Sequence, residues 1–422
     1  MSRRPPAGHC CFSLHIAAKP ESVPISPQFF LTISSKRILC DPLAEFTTFP
    51  SAGSGLDSQR ASSFNRHKLF LPPKEVEMYT TIRIRLASSQ TAIAVVAILG
   101  LVCTTHAQNI IMFDAPNSGG TIATAINSTG QITGYYQDTT SGITHGFLRQ
   151  PDGTIITFDG PPLTLTYTSF TFALAINSAG QIAGSYVEYS VPAGEFLEHG
   201  FLRDSDGTIT TFDIGHRVLN SAINPAAQIA GSYVFSDLPS PTAAFLRYSD
   251  GSITTFYDHS GFTVFTAINA KGQITGDGGA IGSFLRQPDG TVTTFAVPNA
   301  SLTYPIGINS STQITGYFQD TNFVNHGFLR RRDGTLARFR VPNASATVPV
   351  AINSLGQITG YYLDASYAYH GFLRQTNGTI STLDVPNATL THPTGINSSG
   401  QITGYYQDSQ FVLHGFVRTS EK

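Results

Sequence analysis

From residue 109 onward, short apolar blocks alternate with polar turns, and the blocks return in a fixed order. The clearest block is an Asn-containing turn followed by Gln-Ile-Thr-Gly, as in AINSTGQITGYY at 125–136 and AINSLGQITGYY at 351–362. It occurs seven times, anchored at Asn127, Asn177, Asn224, Asn269, Asn309, Asn353 and Asn397, at intervals of 50, 47, 45, 40, 44 and 44 residues. A period of that length built from four strand-like blocks predicts propeller blades.

The four blocks read as strands A to D, lettered from the centre outward. A carries a small residue before Ile-Asn (Ala125, Ala175, Ala222, Ala267, Gly307, Ala351, Gly395) and B is the QITG block. C is HGFLR and its variants, and D is TIITFD at 154–159 and its variants. Asp152-Gly153, Asp206-Gly207, Asp250-Gly251, Asp289-Gly290, Asp333-Gly334 and Asn377-Gly378 sit between C and D. These dipeptides supply the positive φ of tight hairpin turns, so C and D are antiparallel. Small residues on A fit the crowded centre of a propeller. Hydrophobic alternation is blurred, as it is when both faces of a sheet are packed.

The last unit stops after HGFVR at 414–418 without a D block, while NIIMFD at 109–114 is a D block with no unit before it. The expected fold is therefore an all-β, seven-bladed β-propeller of four-stranded antiparallel blades, closed by the N-terminal strand completing the last blade. Closure of this kind removes exposed sheet edges.

Upstream, the segment from Met78 reads as an export signal: Arg83 and Arg85, the apolar run TAIAVVAILGLVC at 91–103, then Thr105-His106-Ala107. The run is too short for a membrane-spanning helix and suits a signal-peptide core cleaved after Ala107. The expected division is 1–77 as a spurious or disordered N-terminal extension, 78–107 as signal peptide and 108–422 as the propeller. It predicts a secreted, extracellular or periplasmic monomer with no membrane span after cleavage. Cys10, Cys11, Cys40 and Cys103 all precede the cut, so the mature chain has no disulfide.

Composition narrows the function. Only 12% of residues are charged, and the net charge is −2. With no Lys/Arg cluster expected in the repeat region, nucleic acid is not a partner of this reading.

The blocks INxxGQITGYY, HGFLR and GTITTFD resemble the HAF repeats of bacterial extracellular proteins, with His-Gly-Phe here for His-Ala-Phe. The resemblance covers all seven units, with Ala243 and Gly282 in the His position of two of them. It implies secretion and a repeat scaffold, and carries over no active residue. The absence of Trp argues against tryptophan-aspartate propellers and Asp-box sialidase blades.

Five histidines open strand C: His145, His199, His326, His370 and His414. In four units an aspartate, Asp138, Asp320, Asp364 or Asp408, precedes the histidine by six or seven residues. Imidazole with carboxylate could hold a divalent metal or serve acid–base chemistry. A feature that recurs in most blades more often supports blade folding, so these pairs are read as hairpin clamps, with no metal and no cofactor assigned. The arginines that close C (Arg149, Arg203, Arg247, Arg286, Arg330, Arg374, Arg418) are read as structural for the same reason. The pairs Tyr135-Tyr136, Tyr361-Tyr362 and Tyr405-Tyr406 could stack on sugars but by default pack between blades.

Breaks in the repeat point to a ligand sector in the second to fourth units. The second has a long B-to-C segment at 187–198 with Glu188, Glu195 and Glu198, followed later by His216 and Arg217. The third has FSDLPSPTA at 235–243, and the fourth has GDGGAIG at 276–282 with Asp258 and His259 upstream. The expected function is non-catalytic binding or scaffolding outside the cytoplasm, for a glycan, another extracellular polymer or a protein. The alternative is a carbohydrate-active lyase or glycosidase using Glu195 or Glu198 with His216 or His259. A structural cell-surface interaction module is the third reading. No catalytic residue is assigned, because no nucleophile elbow, zinc-protease or phosphate-loop motif is present.

Overall fold

The computed structural model describes residues 12–15, 29–37, 78–86, 109–161, 166–190, 195–215, 217–234, 242–257 and 262–419. The chain divides into two units, Met1–His106 and Ala107–Lys422. In the first, Phe12–His15, Phe29–Arg37 and Met78–Leu86 form a three-stranded antiparallel sheet. Arg83 and Arg85 of the expected export signal lie on its third strand, whereas the apolar run 91–103 and Ala107 fall outside the described residues. Among the described residues no helix is long and apolar enough to cross a membrane.

The second unit is all-β and has the architecture of a β-propeller. Each of the first five repeats forms a separate four-stranded antiparallel sheet in the order A-B-C-D. The first comprises Ser118–Ile126, Ile132–Asp138, Thr144–Arg149 and Ile155–Phe158. The last two repeats have the same grouping and are joined by one parallel bridge, Tyr369 to Leu390. Strand Asn109–Phe113 pairs antiparallel with C of the last repeat, Leu413–Thr419, in register from Asn109 opposite Thr419 to Phe113 opposite Gly415. The C–D turns have the expected geometry, with Gly153 at φ 97° and Gly334 at φ 88°.

The core lies between sheets. Each apolar cluster draws on two neighbouring repeats; one joins Leu373 and Leu383 of the sixth to Ile396, Ile402 and Phe416 of the seventh. Another joins Val417 of the seventh to Ala123, Ile132 and Phe147 of the first. The Phe of HGFLR is fully buried at 147, 201, 245, 328, 372 and 416. Both faces of each sheet are thus covered, which is why alternation along the strands is blurred.

The repeated asparagine is a saturated hub. Asn353 Oδ1 accepts from Leu355 N and Gln357 N, while Nδ2 donates to Gln357 Oε1 at 2.7 Å and to Asn397 O at 3.0 Å. The outward bond recurs in every repeat, from Asn127 to Asn177 and onward, and Asn397 Nδ2 donates to Asn127 O at 3.0 Å. Only a primary amide offers two donors and a twice-used acceptor in that space. The glycine of QITG is fixed by close approach. An irregularity in strand A between Pro349 and Ala351 brings Val348 O to within 2.2 Å of where a Cβ on Gly360 would sit.

The strand-C arginines of the first six repeats stack on a Phe of the preceding D block. The Arg149 guanidinium lies 4.9 Å from the centroid of Phe113, Arg203 4.9 Å from Phe158 and Arg374 4.8 Å from Phe339. Arg149, Arg203, Arg247 and Arg330 are buried. These cations hold neighbouring sheets together through cation–π contacts and are not presented to a polymer. One expectation is corrected here. The fifth repeat does carry a basic cluster, Arg330, Arg331, Arg332, Arg338 and Arg340. Only Arg330 holds the buried stacking position, over Phe295, while Arg331 and Arg332 in the C–D turn are exposed.

Candidate binding site

In these sheets the A–B and C–D turns share one edge, and the B–C and D–A connections share the other. All of the repeat histidines stand on the second edge, each resting on the aromatic second position of the YY pair. Ring centroids are 5.3 Å apart for Tyr136–His145, 4.9 Å for Tyr186–His199, 5.1 Å for Tyr362–His370 and 5.0 Å for Tyr406–His414. Phe318 takes that place under His326.

The expected aspartate clamp forms in the later repeats. His326 Nε2 lies 3.0 Å from Asp320, and His370 and His414 lie 3.4 Å from Asp364 and Asp408. In the first repeat the partner differs from the expectation: His145 Nδ1 bonds Asp159 at 2.6 Å. Asp138 instead accepts from Thr140 N, Ser141 N and the Ser141 hydroxyl, shaping the B–C turn. The sequence reading missed a second set of partners at the end of strand D. Asp213 bonds His199, Asp384 bonds His370, and Asp114 bonds His414 beside the pairing of Asn109–Phe113 with Leu413–Thr419. The D of TFD, 14 residues after each of the first two histidines, was the available signal.

Hydrogen bonding holds the turn carboxyls below the usual range. Asp364, held by Ser366, Ala368 and His370, falls to about 2. Among the described residues no His, Cys, Asp and Glu side chains converge in the number a metal ion requires.

Four of the residues expected to bind ligand, Glu188, Glu195, Glu198 and Arg217, fall on or beside one hairpin of the second repeat. Glu188 and Glu195 sit on strands Ile182–Ser190 and Glu195–Arg203, which pair up to Ser190 opposite Glu195. The segment read as a long loop is therefore mostly an extended hairpin, because its β-prone Val187, Tyr189 and Phe196 continue the ladder. Only the backbones of Glu188 and Glu195 are described, and His216, Asp258 and His259 lie outside the described residues. Glu198 and Arg217, expected to face a ligand, form an ion pair at 3.4 Å with Glu198 largely buried. Burial raises the Glu198 carboxyl, and the Ser185 hydroxyl and Arg217 oppose that rise. The pair links strand C of the second repeat to strand A of the third.

The Gly-rich segment of the fourth repeat ends strand B at Asp277 and makes a single 3-10 turn, Gly279–Ile281. Beside it lies a cleft of about 520 Å³, lined by Asp277, Ile281, Ser283, Phe295, Leu302 and Thr303 among others.

Two aromatic features dominate the B–C side. The first position of the YY pair reads Tyr135, Ser185, Ser232, Asp277, Tyr317, Tyr361 and Tyr405 around the repeats. Its tyrosines cluster. Tyr135 packs edge-on to Phe172 at 5.2 Å and Tyr304 lies 5.5 Å from Tyr317. His392 is held between Tyr361 at 4.4 Å and Tyr405 at 4.9 Å. Burial pushes Tyr304 up to about 12 and the His392 imidazole down to about 4, so the phenols remain donors and the imidazole neutral.

The second feature lies in the B–C turns DTNFV, DASYA and DSQFV. Each aspartate caps its turn; Asp320 Oδ1 accepts from Asn322 N at 2.8 Å and from Val324 N at 3.0 Å. The fourth residue is left-handed: Phe323 at φ 62°, Tyr367 at 65° and Phe411 at 66°. In the first repeat the left-handed residue of this turn is Gly142. A bulky side chain is strained in this conformation, yet these three are 75%, 73% and 75% exposed. Neither backbone preference nor core packing accounts for an aromatic there. Their recurrence three residues after each aspartate was readable in the sequence, but its meaning depends on the backbone angle.

No protein-family model matches the chain, and no curated protein matches it. Among solved structures, the β-propeller domain of the trilobed protease from Pyrococcus furiosus aligns at 8% identity with a TM-score of 0.50. That alignment covers 72% of this chain and 96% of that one. The Pyrococcus horikoshii acylaminoacyl peptidase aligns at 8% identity and a TM-score of 0.47, covering 73% of this chain and 53% of the peptidase, so the chain spans about half its length. The Aleuria aurantia lectin, solved with a fucosylated ligand, aligns at 14% identity and a TM-score of 0.35, covering 72% and 93%. At such identities the likeness shows the fold alone: this chain is similar to propeller proteins in the path of its backbone.

Proposed function

We propose that the chain is an exported, monomeric, seven-bladed propeller of the HAF-repeat type, closed by strand Asn109–Phe113, that binds a glycan without catalysis. The seven-fold asparagine relay, which returns from Asn397 to Asn127, supports the count and the closure. The glycan reading rests on Phe323, Tyr367 and Phe411: three exposed aromatic rings on successive repeats, each held in a strained left-handed turn. Strain kept at a surface marks function. Flat rings flanked by polar turn residues suit the apolar faces of sugars, and the nearby tyrosine arc adds phenolic hydrogen-bond groups. The contact face is therefore moved from the second to fourth repeats to the fifth to seventh.

The test is a polysaccharide pull-down and glycan array with the wild-type chain and a Phe323→Gly/Tyr367→Gly/Phe411→Gly variant. Glycine relieves the backbone at each site, so the variant should melt within a few degrees of wild type while its glycan binding falls at least tenfold. Undiminished glycan binding by the folded variant refutes the assignment of this face.

A further inference from the structure

The other edge of the sheets carries a second irregularity. In most repeats the Gln that opens strand B donates to the side chain that follows the strand-C arginine. Gln131 Nε2 reaches Gln150 at 3.0 Å, Gln181 reaches Asp204 at 2.6 Å, Gln273 reaches Gln287 at 2.8 Å and Gln357 reaches Gln375 at 2.7 Å. This bond clamps the A–B turn to the C–D turn of the same repeat. In the fifth repeat the acceptor is replaced by Arg331, which can only donate.

Gln313 still accepts from Asn309 through Oε1 at 2.8 Å, so its Nε2 faces a groove with no acceptor at the equivalent position. That groove, about 790 Å³, spans the turns of the fourth to sixth repeats and is lined by Lys271, Ser310, Ser311, Gln313, Arg331, Arg332, Asp333, Ser354 and Leu355. Its one carboxylate, Asp333, accepts from Thr335 N at 2.9 Å and the Thr335 hydroxyl at 2.7 Å, closing its own hairpin turn. Against that single carboxylate, which lies within electrostatic reach of Arg331, the polar lining offers three cations, three serines and Gln313.

We propose that this groove is an oxyanion-binding site for the sulfate or carboxylate groups of an acidic polymer. Arg331 and Arg332 would grip the anion with planar guanidinium forks, and Lys271 would close it from the neighbouring repeat. The serine hydroxyls and Gln313 Nε2 supply neutral donors around it. The site lies on the edge opposite Phe323, Tyr367 and Phe411, so the two surfaces can be tested independently.

Fluorescence anisotropy of labelled dextran sulfate and labelled polygalacturonate with the full chain, with neutral dextran as blank, reads the site directly. Saturable binding that weakens as salt rises is expected, as for exposed charges. Arg331→Gln supplies the acceptor present in the first, fourth and sixth repeats and should re-form the clamp. It is expected to melt at or slightly above the wild-type temperature while losing at least tenfold in polyanion affinity. Arg332→Gln, at an exposed position, should weaken binding without moving the melt. The variant lacking the three turn aromatics should bind polyanion as wild type does. Binding of one polymer alone identifies the oxyanion, and binding of both assigns oxyanions generally. Absence of saturable binding to either, or Arg331→Gln and Arg332→Gln chains that bind like wild type, overturns the proposal.

Discussion

Removing residues 109–116 from the second unit, so that it begins at Asn117, deletes the strand that pairs with Leu413–Thr419. Phe113 packs 6.1 Å from Phe147 and beneath Arg149, and Ile110 lies against the cluster of Ile402 and Phe416. Burial of these two side chains contributes about 5 kcal/mol, and the lost ladder bonds about 4 more at roughly 1 kcal/mol each. Releasing the eight ordered residues returns about 11 kcal/mol of chain entropy, of which about 4 kcal/mol is offset by the lost burial of Ala115, its backbone bonds with Thr121 and Ser118, and the Asp114–His414 pair. Uncovering Phe147, Phe416 and Val417, all buried in the intact unit, costs about 2 kcal/mol further. The net loss is about 4 kcal/mol, which for a unit of this size lowers the melting temperature by about 8 °C and leaves two strand edges open to self-association.

Calorimetry with light scattering reads both effects. A rescue experiment sharpens them: about 4 kcal/mol corresponds to a docking constant near a thousand, and with an effective concentration in the millimolar range the excised segment should bind in trans with a dissociation constant of about 1 µM. A synthetic peptide of residues 109–116 should therefore restore the melt at about 100 µM. An unchanged melt and monomeric scattering for the truncated unit would refute the pairing as the element that holds the ends together.

Three further outcomes follow from the same contacts. Asn353→Asp removes both amide donors and sets a carboxylate against Gln357 Oε1 and Asn397 O, so chemical denaturation should show a loss of about 3 kcal/mol. Gly360→Ala forces a methyl onto Val348 O and should cost at least as much, whereas Gly142→Ala, with open space around it, should cost about 1 kcal/mol through its positive φ alone. Acid stability should decline in two windows. His392, depressed from 6.5 to about 4, binds its proton in the unfolded chain first, so the stability it contributes is full above about pH 6.5 and is lost toward pH 4. Asp364, depressed from 3.8 to about 2, contributes above about pH 4 and loses that contribution toward pH 2. Thermal melts of His392→Phe should flatten only the upper window and those of Asp364→Asn only the lower.

The all-β propeller, its strand order and its turns were legible because each repeat states them locally. Asp-Gly marks the C–D turn, the apolar Phe of HGFLR marks the core, and the unpaired NIIMFD block pairs where its homology to strand D placed it. The asparagines were recognised as anchors, but their bond to the next repeat joins residues 40 to 50 positions apart and is invisible to local reading. The sector expected from breaks in the repeat is described only in part, and the pair that is described there, Glu198 with Arg217, is bonded to itself. Length irregularity was taken as the mark of function, and at 187–198 it lengthens a hairpin. The aromatics at 323, 367 and 411 recur regularly, and their left-handed φ and exposure set them apart from ordinary packing.

The repeats separate two kinds of position. The residues that every repeat keeps, the hub Asn, the clamping Gln and the stacking Arg, have their side chains committed within or between sheets, and changing one disturbs the neighbours on either side. A ligand site needs side chains that the fold does not use, and in a repeat protein these are the positions that differ between units while the backbone stays the same. Three such positions stand out: the first member of the YY pair, the left-handed residue of the B–C turn, and the residue after the strand-C arginine. The first runs Tyr, Ser, Ser, Asp, Tyr, Tyr, Tyr, and the third runs Gln, Asp, Tyr, Gln, Arg, Gln, Thr. Along the fifth to seventh repeats the first two are aromatic in every unit, and the cation at the third falls in the fifth. Aromatic and cationic surfaces thus lie over overlapping repeats on opposite edges, so a neutral sugar chain and an acidic one could be held at the same time without competing for a side chain.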